Sequence, residues 1–189
     1  MTTILLPRDP SHESTRLRHF ATVDKRDDRY EDYVRILKAR GKLKDYEVFA
    51  KAEKDIKPWE TVVGDYNAMV NVGIDLALDL LIGVAVTNYA TANARLGVGS
   101  SSTAFNATHT DLQTPIARVA MQSGSFPARA SHTVTFKSDF TGATGDGSWQ
   151  EWGVFNAASG ATSILTRKVE SLGTKSGGTW TLTTTMTFA

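Results

Sequence analysis

The sequence predicts an α+β protein that is mainly β: an antiparallel β-sandwich with one embedded helix, preceded by a charged helical segment and an extended amino-terminal arm. Three observations carry this. Of the 41 charged residues, 26 fall within residues 1–60, and the rest of the chain is rich in Thr, Ser, Ala and Gly. Residues 179–188 alternate, with Trp180, Leu182, Met186 and Phe188 sharing one parity with Thr184 and threonines filling the other, the period-2 signature of a half-buried strand. Residues 28–41 and 65–82 instead carry apolar side chains at helical spacing. The division that follows is 1–26 arm, 27–60 helical segment and 61–189 sandwich.

Residues 1–26 hold Pro7, Pro10 and scattered charges without sustained periodicity, which reads as an arm too poor in apolar area to fold alone. From Asp28 the pattern becomes helical. Asp28 and Glu31 stand three apart as in a capping box, Tyr30, Tyr33, Val34 and Leu37 share a face, and Gly41 supplies a left-handed stop. A second short helix, near Asp45 to Asp55, groups Val48, Phe49 and Ala52 before Pro58 ends the run. A third, 65–82, sets Asn67, Asn71, Asp75 and Asp79 on one polar stripe and Met69, Val72, Leu76 and Leu80 on apolar faces, with Gly83 as terminator. It is expected to lie largely buried against the β domain. Strands are expected at 94–98, 115–121, 131–140, 149–155, 162–169 and 179–188, separated by turn sequences such as TGATGDGS, NAASGA and TKSGGT.

The net charge of +1 gives no electrostatic drive toward phosphate backbones or acidic membranes, so dedicated nucleic-acid binding is disfavoured. Without cysteine there is no disulfide, thiolate metal site or thiol nucleophile. The amino terminus shows no signal-peptide core, and the most apolar stretch, 74–86, is interrupted by Asp75, Asp79 and Gly83, so no membrane span is expected. His12, His19, His109 and His132 lack metal-ligand spacing, and Asp75 with Asp79 supply too few ligands for a cation; no metal and no cofactor are expected. GVGSSS at 97–102 lacks the Gly-Lys-Ser/Thr ending of a phosphate loop and reads as a turn. Glu151 is the best isolated carboxylate, with Asp139 and Asp146 nearest in sequence, but no second positioned acid or activated nucleophile accompanies it, and no catalytic residue is assigned. Parity puts Trp152 and Trp180 in the core and leaves Trp149 and Phe155, at strand ends, open to either role, with Trp149 the candidate to stack on a ligand.

In order, the β-rich part carries NARLGVGSSSTAFNATHTDLQ, HTVTFKSDF, WQEWGVFNAASGATSILTRKV and LGTKSGGTWTLTTTMTF. This succession resembles small structural proteins of tailed bacteriophage virions, including the tail-collar and tail-fibre type. The matching elements are Gly97 to Gly99, Thr110 to Leu112, Glu151 to Phe155 and Lys175 to Phe188, and the similarity spans residues 65–189. The resemblance implies a non-enzymatic virion component, made in the host cytoplasm and docked on the particle as a capsid decoration or a neck or tail part. Its expected partners are other virion proteins and further copies of itself. With no sustained heptads and no short repeats, a fibre shaft is disfavoured. Tyr30, Tyr33, Leu37 and Phe49 are the residues expected to anchor the helical segment on neighbours, because aromatic and leucine side chains bring the largest apolar areas. The alternative is a module that binds glycan or another host-surface ligand through Trp149.

Overall fold

The computed structural model describes residues 17–63 and 68–188, and of 17–20 the backbone alone. The expected α+β sandwich forms. Among the described residues, ten strands make two antiparallel five-stranded sheets, and three helices lie outside them. The first sheet contains β1 (Leu17–Arg26), β2 (Glu60–Val63), β6 (Ala128–Ala130), β7 (Thr133–Phe140) and β10 (Thr179–Phe188), in the order β2-β1-β10-β7-β6. The second contains β3 (Ala68–Met69), β4 (Arg95–Gly99), β5 (Pro115–Ala120), β8 (Gly147–Phe155) and β9 (Ile164–Lys175), in the order β3-β9-β8-β4-β5. The six strands read from alternation and turns are β4, β5, β7, β8, β9 and β10.

The inner faces of the two sheets meet in one core. Trp149, Trp152, Trp180, Phe136, Phe140, Leu96, Val98, Val154, Leu172 and Leu182 are buried there. The Trp149 ring stands edge-on to both Phe140 and Trp180, with centroids 4.8 and 4.9 Å apart, the offset geometry that ring quadrupoles favour. The alternation of β10 is realised in Trp180, Leu182, Thr184 and Met186. Its outer face is not uniformly wet, however. Thr179 and Thr181 are also buried, because the helical segment covers that end of the strand.

Residues 17–26, expected within an arm, form β1, paired with β10 from Leu17↔Phe188 to Arg26↔Thr179 and with β2 on its other side. Ala21 and Val23 point into the core. The charges that disguise this strand are neutralised by tertiary partners. Lys25 Nζ lies 2.9 Å from Glu60 Oε2 and 4.4 Å from the centre of the Trp180 ring. The Arg26 guanidinium donates to Thr181 Oγ1, Asp24 Oδ2 and the Ile56 carbonyl, and stacks 4.9 Å from the Tyr30 ring. The expectation of an arm over 1–16 lies outside the described residues.

Helices α1 (Asp28–Ala39) and α2 (Asp45–Asp55) form a hairpin where the sequence places them. Asp27, rather than Asp28, caps α1: its carboxylate accepts from the Arg29 backbone N–H at 3.1 Å. Gly41 follows the helix at φ +62°, a conformation that costs glycine nothing. Helix α3 (Asn71–Leu81) is shorter than its predicted span, whose residues 65–67 lie outside the described part. Residues 68 and 69 form β3 on the edge of β9. α3 also differs in burial, because it rests on the rim of the second sheet rather than deep against the core. Only Gly73 is fully buried, and a Cβ there would lie 2.1 Å from the Leu165 carbonyl oxygen, so only glycine permits this approach.

Candidate functional site

Glu151, Asp139 and Asp146 all have structural partners. Glu151 on β8 and Arg167 on the adjacent β9 are fully buried and form an ion pair, with Arg167 Nε 2.7 Å from Glu151 Oε2. The Glu151 carboxylate also accepts the backbone N–H groups of Gln113 at 3.1 Å and Thr114 at 2.8 Å. Arg167 donates in turn to the Thr103 carbonyl at 2.9 Å and to His109 Nδ1 at 3.1 Å. The Asn106 N–H also donates to that nitrogen, which assigns the imidazole proton to Nε2. Burial, then the neighbouring Arg167 charge, hold His109 below its ordinary pKa of 6.5, against a smaller opposing pull from Glu151. This buried node ties the loop after β4 to the centre of the second sheet; of GVGSSS, expected as a turn, Gly97 to Gly99 belong to β4 and only Ser100 to Ser102 to the loop. Within that loop Ser101 Oγ donates to Thr103 Oγ1 and accepts the Thr103 N–H, so the serine run closes a local turn.

Asp146, in the turn between β7 and β8, binds Lys175 Nζ at 2.8 Å and the Gly177 N–H; the Lys175 hydrogen bond chiefly holds its pKa below the usual carboxylate range. Asp139 accepts from Thr181 Oγ1 at 2.7 Å and Gln122 Nε2 at 2.9 Å. Burial pushes its carboxyl above the ordinary 3.8, and the two hydrogen bonds only partly oppose this. Folding therefore takes up a proton at Asp139 between pH 3.8 and its raised pKa. Asp139→Asn removes that linkage. As pH is lowered through this window, the native chain is expected to gain stability relative to the Asn variant, as urea unfolding at a series of pH values would read.

The residues expected to anchor neighbours are mostly occupied within their own chain. Tyr30 and Leu37 are buried with Val48 and Ala52 in a small core between α1 and α2. Tyr33 is half-buried and donates its hydroxyl to Asp55 Oδ2 at 2.8 Å, and the half-buried Phe49 lies beneath Lys38, whose Nζ is 4.8 Å from the ring centre. The hairpin is fastened to the first sheet through Glu53, which accepts from Gln122 and pairs closely with Lys137. A two-helix hairpin supplies its own apolar lining, and this one closes on itself. What stays open between hairpin and sheets is a cleft of about 430 Å³, walled by Val34, Phe49 and Met121 and rimmed by Arg35 and Lys38.

Trp149 likewise has no face for a ligand. Its ring is fully buried, and Nε1 donates to the Gly145 carbonyl at 2.7 Å. The tryptophan that does face solvent is Trp59, just before β2, with 65% of its surface exposed.

The main open apolar surface runs along the outer side of α3. Ile74, Leu78, Leu81 and Ile82 are 42%, 53%, 80% and 75% exposed, and Val84 continues the patch. Their spacing of i, i+4, i+7 and i+8 puts them on one face, opposite Gly73 and the half-buried Val72, Leu76 and Leu80. The signal was present in the sequence: α3 has two apolar faces, and a helix on a sheet rim can bury only one of them. Asp75 and Asp79 border the open face on one side, and α3 carries no basic residue. Clustered exposed aliphatics of this kind mark interaction surfaces.

Among the described residues no three His, Asp or Glu side chains gather to hold a metal ion, and no helix is long and apolar enough to cross a membrane. Comparison with protein-family models, with curated proteins and with solved structures returns no match.

Proposed function

We propose that this protein is a non-enzymatic structural component of a tailed-bacteriophage virion, docked on the particle as a capsid decoration or as a neck or tail part. The observation that carries the reading is the uncovered aliphatic face of α3. Four large side chains that are 42–80% exposed forgo part of the roughly 1.5–3 kcal/mol that each contributes on full burial, and a neighbouring subunit would recover much of that part. The succession of elements over residues 65–189, which resembles virion proteins of this class, supports the placement in a phage particle. The arrangement of the acids supports a structural role: Glu151, Asp139 and Asp146 are each held by fixed partners that stabilise the sandwich.

The docking surface moves accordingly from the α1–α2 hairpin to α3. Leu78→Asp combined with Leu81→Asp places two charges on the exposed face without touching the side that meets β9. The variant is expected to keep its fold by circular dichroism and to fail to enter particles in a complementation assay. Undiminished incorporation would overturn the reading.

A further inference from the structure

We propose that the open face of α3 seats the aliphatic triplet Ile4-Leu5-Leu6 from the amino-terminal segment of a neighbouring copy, with Arg8 beside Asp75 and Asp79. The proposal rests on the assembly reading above and names the partner for the same surface.

Chain direction supplies the first argument. The turn 141–146 joins β7 to β8 and the turn 176–178 joins β9 to β10, so Phe140, Gly147, Lys175 and Thr179 share one end of the sandwich. Leu17, Phe188, Phe155 and Ile164 therefore lie toward the other end. Because β7 lies against β4 and β5 across the sandwich, the two strand orders bring β1 opposite β9. The chain thus enters β1 at the end where Gly73 of α3 rests on Leu165, the second residue of β9. Sixteen residues precede that point. Fully extended, the stretch from Leu5 to Leu17 spans up to about 40 Å, whereas α3 is about 16 Å long. The segment is long enough to pass its own helix and reach that of an adjoining subunit.

Complementarity supplies the second. Ile4-Leu5-Leu6 is the only run of three apolar residues before β1, and Pro7 and Arg8 follow it directly. Pro7 disfavours helical geometry at Leu6, and short aliphatic side chains match an apolar helix groove. Arg8 brings a cation beside an apolar stripe whose flank bears two carboxylates and no basic residue. A second α3 suits this surface less well. Two copies related by a two-fold axis in antiparallel contact would bring Asp75 and Asp79 of each to the same side of the interface, where like charges repel.

The chain has no cysteine, so single cysteines report contacts directly. Full-length Leu5→Cys and Leu78→Cys chains, one carrying a mass tag, are mixed and mildly oxidised. The expected product is the mixed disulfide dimer, its yield lowered several-fold by Arg8→Glu and restored when Asp75→Arg and Asp79→Arg are added to the partner chain. Three results would overturn the proposal: predominant Leu78→Cys homodimers, absence of a mixed dimer above the level of an exposed control such as Ser159→Cys, or exclusive intrachain bridging in the Leu5→Cys/Leu78→Cys double variant. If any of these occurs while Leu78→Asp/Leu81→Asp still blocks incorporation, the assembly reading stands and only the occupant is wrong.

Discussion

Replacing Arg167 with methionine is expected to destabilise the fold by about 3–5 kcal/mol, because it leaves the Glu151 carboxylate in the sheet interior without its counter-charge. The loss should exceed what the ion pair itself contributes, since desolvating both groups offsets most of their attraction. Two backbone N–H groups still reach Glu151 in the variant, which keeps the cost below that of an entirely unpartnered buried charge. Replacing Glu151 and Arg167 together by methionine should recover part of the loss but not all of it. The Gln113 and Thr114 N–H groups then lose Glu151 as well, a cost reduced because both residues lie in an exposed loop where water can replace it. Urea unfolding of the two single variants and the double variant gives the coupling directly. Hydrogen exchange should show the 100–114 loop opening first, because the node is what fastens it. A single-variant effect below about 1 kcal/mol would mean that Arg167 behaves as a surface charge and that this loop is held by other contacts.

Trp149→Ala is expected to cost about 3–5 kcal/mol, the range for removing a large aromatic from a packed core. The ring fills the space between Phe140 and Trp180, and its indole N–H satisfies the Gly145 carbonyl, so truncation opens a cavity and orphans an acceptor at once. Trp59→Ala offers the contrast. The same substitution at a side chain facing water should change stability by no more than about 0.5 kcal/mol. Denaturant melts of the two variants separate a core tryptophan from a surface one. Near-equal effects would refute the assignment of Trp149 to the core.

The parts of the fold legible in the sequence are those whose burial follows a simple period. β10 alternates from Trp180 to Met186, and α1 repeats Tyr30, Tyr33, Val34 and Leu37 at helical spacing, so both are read without knowledge of their neighbours. β9 runs past its expected end at 169 to Lys175, because its pairing with β8 shifts register near Trp149 and lets Gly173, at φ +102°, continue the strand. β2, β3 and β6 hold two to four residues each, too few for any period to emerge.

The candidate site was less legible. Tyr30 and Leu37 carry an apolar signature that serves equally for packing within a hairpin and for docking on a neighbour, and the sequence alone does not distinguish the two. For α3 the pattern recorded a helix apolar on more than one side, whereas the side that meets β9 is selected by Gly73, the one position where backbone can touch backbone. Glu151 and Arg167 stand sixteen positions apart in sequence and meet only because β8 and β9 pair.

The sequence by itself determined the class of fold, the helices α1 and α2, the principal strands and the absence of thiol chemistry, because each follows from local spacing or from composition. The tertiary structure alone decided that residues 17–26 are a central strand, that Trp149 is core and that the outer side of α3 is open. Each of these depends on partners far away in the chain: Glu60 and Thr181 for Lys25 and Arg26, Phe140 and Trp180 for Trp149, Leu165 for Gly73. At these positions burial is set by distant neighbours, which a local period does not encode.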